Sequence, residues 1–139
     1  MSSEDRDSQT VVRLRAPARL DHVAVVRSVA ARLAMLADHP VDAVADFEMA
    51  VEEVCVGHVP MALGSSPLDC RFELSPTQAR FTVSVAVDND PDRMPQPPSF
   101  GALGSHLLAT LTDELSTEIR TTATRATVRT TIVTSVPGR

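Results

Sequence analysis

The sequence contains no tryptophan and no tyrosine, and it has only four phenylalanines. Its core must therefore be built mainly from valine, leucine, alanine and isoleucine. Long apolar runs are also missing, so no segment is predicted to span a membrane. The first ten residues, MSSEDRDSQT, are polar and acidic, unlike a signal peptide. We therefore expect a cytoplasmic protein.

Cysteine is scarce as well. The two cysteines, Cys55 and Cys70, lie within apolar patterns rather than at the spacing of metal ligands. We expect two buried free thiols, and nothing in the sequence suggests that they lie near each other. The four histidines, at positions 22, 39, 58 and 106, also lack ligand spacing and are interpreted as surface or packing residues.

Basic charge is in the minority. There are 13 Lys and Arg residues against 18 Asp and Glu, which gives a net charge of −5 and a pI near 5.2. This balance argues against direct nucleic-acid binding and suits a basic protein partner. The 139 residues predict one domain, over 10–137, after a disordered tail over 1–9. A chain of this length can bury an adequate core without disulfides or metals.

The first half of the chain has helical periodicity. The stretch TVVRLRA predicts a strand that ends at Pro17, and Asp21 is a candidate N-cap for a first helix. A second helix is predicted to begin near Val41. The apolar stripe of the first helix comprises Val25, Val29, Leu33 and Leu36, with Val26 and Ala30 beside it, and that of the second comprises Val44, Phe47, Val51, Val54 and Cys55.

From residue 68 onward the period changes to two, which predicts a hairpin over 68–74 and 81–87 with one buried face. Residues 88–99 contain four prolines and predict a loop. A third helix should follow, and then a second hairpin over roughly 115–122 and 126–136. The inward candidates of that hairpin are Leu115, Ile119, Val128, Ile132 and Val136. The fold class is therefore α/β: a two-layer sandwich with a mostly antiparallel mixed sheet covered on one face by helices.

The stretch AVEEVCVGHVPMAL, residues 50–63, is unusual for an amphipathic helix. Glu52 and Glu53 interrupt its apolar run, and Gly57 and Pro60 disfavour the turns that follow. We expect the helix to kink or end near residues 56–58. The two carboxylates have an ordinary interpretation, as a solvated helix edge, and a functional one.

Three segments in this order resemble a known family: VAVVR (23–27), DAVADFEMAVEEVC (42–55) and LGSHLLATLTDEL (103–115). They are similar to the anti-sigma factors of the sporulation and stress-response serine-kinase type, most of all the actinobacterial antagonists of sigma factor F. That family has the histidine-kinase-like ATPase (Bergerat) fold. The resemblance extends from about Val11 to Val136.

The resemblance implies roles for individual residues. Glu53 aligns with the family's catalytic base, which activates a serine hydroxyl on the target. Gly57 stands where the family has the asparagine that ligates Mg²⁺. Asp88 aligns with the aspartate that binds the adenine amino group. Gly104 aligns with a glycine of the motif that closes over the phosphates.

The nucleotide motifs depart from the family pattern at several positions. Glycine offers no oxygen ligand at position 57, and hard Mg²⁺ requires oxygen ligands. Two further family glycines are replaced by Asp90 and Asp92, which add negative charge where phosphates would lie. Ala102 replaces the first glycine of the closing motif. ATP and Mg²⁺ are therefore doubtful cofactors, and we expect a protein that has lost the kinase reaction.

Three functions remain open. The leading hypothesis is an anti-sigma factor that sequesters an alternative sigma factor and is released by an anti-anti-sigma partner. The alternative is an active ATP-dependent serine kinase that phosphorylates that antagonist, with Glu53 as the base. A third is a degenerate domain of another signalling system.

The resemblance also implies a homodimer formed through the sheet side and a partner contact at Arg27, which could otherwise be an ordinary solvated charge.

Overall fold

A five-stranded sheet organises the computed structural model, which describes residues 9–90, 92 and 100–139. The elements follow in the order β1 (Thr10–Pro17), α1 (Leu20–Leu36), α2 (Val41–His58), a 3₁₀ turn (Val59–Met61), β2 (Pro67–Ser75), β3 (Gln78–Val87), α3 (Gly101–Leu111), β4 (Glu114–Thr121) and β5 (Ala126–Ser135). The order in the sheet is β1-β2-β3-β5-β4. The predicted α/β sandwich is confirmed.

All four strand pairings among these described residues are antiparallel, so the parallel contribution expected for a mixed sheet is not seen. The reason lies in the connections. Two helices between β1 and β2 return the chain in the opposite direction, and the single helix between β3 and β4 makes these strands parallel. They do not pair, because β5 lies between them.

Alternate residues of the central strands form the core against α1 and α2. In β2 and β3 they include Leu68, Cys70, Phe72, Phe81 and Val83, all fully buried. Phe72 and Phe81 are direct cross-strand neighbours, with ring centroids 4.9 Å apart and planes tilted by 44°. Such a pair adds to the free energy of apolar burial. Both predicted hairpins are confirmed.

The first helix has a different phase from the predicted one. Val25 is 50% exposed and Leu36 is 69% exposed, although both were assigned to the apolar stripe. The buried residues are Val23, Val26, Ala30, Ala31 and Ala34. Small alanines let α1 approach α2 closely, so burial follows the small residues rather than the large ones. The predicted N-cap is also wrong: the helix begins at Leu20, one residue before Asp21.

Asp21 lies in the first turn of α1 and bonds to its sequence neighbours. Its carboxylate accepts hydrogen bonds from the Arg19 guanidinium at 3.0 and 3.1 Å. These contacts and the contact with His22 lower the pKa of Asp21 to about 2. The carboxylate therefore binds neighbouring side chains and does not cap a backbone N–H at the start of the helix.

The second helix matches its prediction. It begins at Val41, buries Val44, Phe47, Val51, Val54 and Cys55, and ends at His58, within the range where the sequence predicts a stop. Pro60 lies in the 3₁₀ turn that follows. Apart from Gln9, the predicted tail of residues 1–9 lies outside the described residues, as do positions 91 and 93–99 of the predicted loop.

Two of the five inward candidates in the second hairpin lie on the expected face but are not buried. Val128, Ile132 and Val136 are buried, but Leu115 is 41% exposed and Ile119 is 36% exposed. Both belong to β4, the outermost strand, and most of its residues are exposed. The alternation of the strand sequence is real, but none of the helices formed by the described residues covers this part of the sheet fully.

Candidate functional site

The candidate site lies where the C-terminal half of α2 meets Phe100 and the first turn of α3. Its two adjacent carboxylates face different neighbours. Glu52 contacts α1 through Arg27, and Glu53 contacts α3 at Gly104. Residues that follow each other on a helix point about 100° apart, so this division is the expected geometry. Both carboxylates are partly exposed, and each also lies against a neighbouring helix of the protein.

Arg27 joins the first two helices. Its Nη1 donates to the two carboxylate oxygens of Glu52 at 3.3 and 3.4 Å. Its Nε lies 3.1 Å from Oε1 of Glu48, at an angle too poor for a hydrogen bond. The side chains are partly exposed, so the ion pairs add little to stability. They do hold the guanidinium in one orientation between α1 and α2.

Gly104 allows α3 to approach Glu53 directly. A Cβ atom placed on Gly104 would lie 3.2 Å from Cδ of Glu53, closer still to its Oε1, and 3.0 Å from Cβ of Phe100. No side chain larger than hydrogen fits this gap without displacing the carboxylate. The predicted base and the predicted phosphate-motif glycine are therefore neighbours.

Gly57 makes room for an aromatic ring. A Cβ atom placed on Gly57 would lie 2.7 Å from Cδ1 of Phe100 and closer still to Cε1. The ring thus packs directly against the backbone of α2 at this position. In the family the same position carries an asparagine side chain. Here that space belongs to Phe100, which the sequence did not single out.

His58, the next residue, faces the sheet and is fully buried. Its Nδ1 lies 2.8 Å from the carbonyl oxygen of Val54, and since a carbonyl only accepts, Nδ1 carries the proton. Nε2 then accepts from the Thr130 hydroxyl at 3.0 Å, and Thr130 Oγ1 accepts from Thr117 at 2.9 Å. Burial lowers the pKa of His58, and the Val54 carbonyl opposes that shift. The neutral ring ties the end of α2 to β5 and β4.

Asp88 stands directly after β3, as predicted, but its carboxylate is engaged in the loop. Oδ1 of Asp88 accepts the backbone N–H of Asp90 at 2.9 Å, and Oδ1 of Asp90 accepts that of Asp92 at 3.0 Å. The carboxylates of Asp88 and Asp90 therefore form two successive Asx turns. Among the described residues, Asp88 forms no hydrogen bond or ion pair with Glu53 or Gly104.

The two cysteines are closer than the sequence suggested. Both are buried and free, as predicted. A hydrogen bond with the Cys70 thiol, followed by burial, raises the pKa of Cys55. Cys55 of α2 and Cys70 of β2 are therefore neighbours in the core. The apolar patterns of the sequence predicted that both residues are buried. They did not indicate which turn of α2 lies above which position of β2.

These residues do not fit Mg²⁺ and a nucleotide. The position of the metal ligand is a glycine covered by the Phe100 ring. The cavity beside Phe100 measures about 200 Å³, below the roughly 300–1,000 Å³ of typical small-molecule sites. A larger cavity of about 500 Å³ is lined partly by Arg15, Asp69 and Asn89 and involves none of the three site residues on α2 and α3. In the described part of the chain, no cluster of three or more His, Cys, Asp or Glu side chains could hold a metal ion.

The chain has an antiparallel sheet covered by two long helices. A carboxylate on the second helix faces a glycine at the start of the third. This arrangement is that of a histidine kinase-like ATPase domain. The model of that family matches residues 16–132, and the chain belongs to it. Among characterised proteins, it is similar to the anti-sigma-F factor RsbW of Mycobacterium tuberculosis, from strains CDC 1551 / Oshkosh and ATCC 25618 / H37Rv. Each match is 31% identical over 106 residues, which is 76% of this chain and 60% of the relative. The chain thus spans less than two thirds of these relatives.

The resemblance identified Glu53 and Gly104 as site residues, and the structure brings them together. It identified Gly57 as a departure but gave no reason for a glycine there. Phe100 supplies the reason, and the only sequence signal for it is an aromatic residue next to the third helix in a chain with four phenylalanines. In the described residues, no helix is long and apolar enough to cross a membrane.

Proposed function

We propose that this chain is an anti-sigma factor that binds and sequesters an alternative sigma factor of the stress or sporulation type, in the cytoplasm and as a homodimer. Release would depend on competition by an anti-anti-sigma partner. The proposal rests on the similarity to anti-sigma-F factors. The single structural observation that supports binding without catalysis is the Phe100 ring, which occupies the space of the metal ligand.

The surface of the first two helices suits a basic protein client. Helix α2 has five carboxylates and no Lys or Arg: Asp42, Asp46, Glu48, Glu52 and Glu53. The neighbouring α1 exposes apolar side chains, Val25, Met35 and Leu36 among them. Acidic groups steer a basic partner toward the surface, and apolar groups add affinity once it docks. Sigma factors bind DNA, and basic patches are typical of DNA-binding proteins.

The test uses the purified chain and the alternative sigma factors of the same organism. We expect calorimetry to detect one sigma factor that binds equally well with and without Mg-ATP, with an affinity that falls as salt is raised. Incubation with labelled ATP and the candidate antagonist should leave the antagonist unlabelled. Label on an antagonist serine would support the kinase alternative, and failure to bind any sigma factor would contradict the proposal.

Arg27 provides a matched test of the partner surface. We expect Arg27→Ala to weaken client binding by roughly tenfold, about 1.4 kcal/mol, because the contact of the guanidinium with the client is lost. Arg125→Ala removes the same charge in the β4–β5 turn and should leave binding unchanged. If Arg27→Ala lowers only the melting temperature and not the affinity, Arg27 is a structural link between the helices.

A further inference from the structure

A polar cavity lies at one end of the sheet, on the face turned away from α1 and α2, which we call the open face. It measures about 500 Å³, within the roughly 300–1,000 Å³ of typical small-molecule sites. Arg15, Asp69 and Ser84 line it as direct cross-strand neighbours in β1, β2 and β3. In β3, Ser84 and Ala86 alternate with valines buried beneath the helices, so they lie on the open face. The cavity is therefore separate from the candidate site on α2 and α3.

Hydrogen bonds hold the chain segments on either side of this open-face cavity. On one side, the backbone N–H of Leu63 donates to the carbonyl oxygen of Ala86 at 2.8 Å. On the other, Nδ2 of Asn89 donates to two carbonyl oxygens of the β4–β5 turn at 3.3 and 3.4 Å. Within that turn, Thr122 donates its N–H and its hydroxyl to the carbonyl oxygen of Arg125 at 2.7 and 3.2 Å. The walls are therefore preorganised, and a ligand does not have to order them.

The lining has a surplus of positive charge. Its charged residues are two arginines and one aspartate, Arg15, Arg125 and Asp69, in a chain whose net charge is −5. Nε of Arg15 lies 3.5 Å from Oδ2 of Asp69, and its terminal nitrogens have no partner in the described part of the chain. The Arg125 guanidinium has none there either. A positive surplus at one cavity of an acidic protein favours an anionic ligand.

Four side-chain hydroxyls also line the cavity, and none of them forms a hydrogen bond with another described residue. Elsewhere on the open face hydroxyls pair with each other, as Thr82 does with Thr131 at 3.1 Å. Unpaired hydroxyls in a cavity suit the hydroxyl groups of a ligand, because each can both donate and accept. The four are Ser66, Ser84, Thr124 and Thr127.

The number of guanidinium groups favours phosphate over carboxylate. One guanidinium can satisfy both oxygens of a carboxylate through two parallel hydrogen bonds. A phosphate monoester has three terminal oxygens and a charge of roughly −2 at neutral pH, so it can engage two guanidinium groups at once. Arg15 and Arg125, on different strands and turns of one cavity, supply two.

We propose that the open-face cavity binds a small polyhydroxylated phosphate monoester of the sugar phosphate class, with the phosphate at Arg15 and Arg125 and the polyol at the four hydroxyls. This ligand site goes beyond the anti-sigma function and does not rest on it, because the client surface belongs to α1 and α2. Binding at this site needs no Mg²⁺, since the arginines neutralise the phosphate.

Calorimetry with the full chain tests the ligand chemistry. Glucose 6-phosphate and ribose 5-phosphate are the probes. Glucose, which lacks the anion, and gluconate, which carries a carboxylate instead, are the matched controls. We expect one of the phosphates to bind without Mg²⁺ and each control to bind at least roughly tenfold more weakly. Equal binding of gluconate would overturn the phosphate assignment, and failure of both phosphates to bind at millimolar concentration would overturn the site.

Single substitutions test the two arginines. Arg15→Gln and Arg125→Gln should each weaken phosphate binding by roughly tenfold, because each removes one guanidinium. Arg13→Gln is the matched control, since Arg13 lies on the same face of β1 but outside the lining, and it should leave the affinity unchanged. All three side chains are exposed, so the variants should fold. Equal losses in all three, or a loss in none, would overturn the site.

Backbone amide chemical shifts distinguish this cavity from the candidate site on α2 and α3. On addition of the probe phosphate, the amides of Ala86, Asn89 and Thr127 should shift, and those of Gly57 and Gly104 should not. Shifts centred on Gly57 and Gly104 would assign the ligand to the candidate site and overturn the proposal. Sigma binding is measured separately, so either result leaves the anti-sigma proposal standing.

Discussion

The two hairpins of this protein have the same alternating sequence pattern and different environments. In β2 and β3 the alternate residues are buried completely, whereas in β4 the corresponding Leu115 and Ile119 are largely exposed. The helices account for the difference. The two long helices α1 and α2 cover the central strands, and the eleven-residue α3 buries only Gly104 and Leu108. A period of two therefore identifies an apolar face but does not show whether anything covers it.

The largest expected effect is a cavity in the covered hairpin. Phe81→Ala should lower the free energy of unfolding by about 3–5 kcal/mol, because the fully buried ring also packs on Phe72. Leu115→Ala, in the uncovered strand, should cost less than about 1 kcal/mol. Urea titrations at low protein concentration measure both changes. Comparable losses at the two sites would contradict the contrast between the hairpins.

The next effect concerns the contact between α2 and Phe100. Gly57→Asn places a side chain into the Phe100 ring and should destabilise the protein by about 1–3 kcal/mol. Phe100→Ala should relieve that overlap, so the double variant should be more stable than the sum of the single effects predicts. Additive losses would mean that Phe100 does not occupy this space. Calorimetry of the double variant with Mg-ATP would also show whether a reopened site binds nucleotide.

His58 should make stability depend on pH. Its pKa is lowered in the folded protein, so below about pH 6.5 the unfolded chain binds a proton that the folded chain does not. Stability should therefore fall as pH is lowered from 7 toward 5. His58→Gln cannot titrate, and it should cost about 1–2 kcal/mol at pH 7 while reducing this acid dependence. Equal pH dependence in both proteins would contradict a neutral buried ring.

Much of the fold could be predicted from the sequence because it depends on local periodicity. Both hairpins and the end of α2 near His58 follow from alternation, from Gly57 and from Pro60. The phase of α1 could not be predicted, because close helix packing selects small alanines over larger valines and leucines. That choice depends on the distance between helices, which the sequence of one helix does not contain.

The candidate site was predictable only in part, for a similar reason. Glu53 and Gly104 were identified by the resemblance, and the structure places them side by side. The partner of Gly57 could not be predicted, because a missing side chain does not reveal which neighbour fills its space. That Cys55 and Cys70 are neighbours likewise depends on how α2 lies over β2. These neighbours are determined by long-range packing, which the local periodicity of the sequence does not reveal.

The smallest expected effect compares two residues that face each other across β4 and β5. Ile119 and Val128 are direct cross-strand partners on the same face, but Ile119 is 36% exposed and Val128 is fully buried. Ile119→Thr should therefore cost less than about 1 kcal/mol, since threonine suits a strand and its hydroxyl can reach water. Val128→Thr buries that hydroxyl and should cost about 1–3 kcal/mol. Both changes in the free energy of unfolding are measured by urea titration, and equal losses at the two positions would contradict their difference in burial.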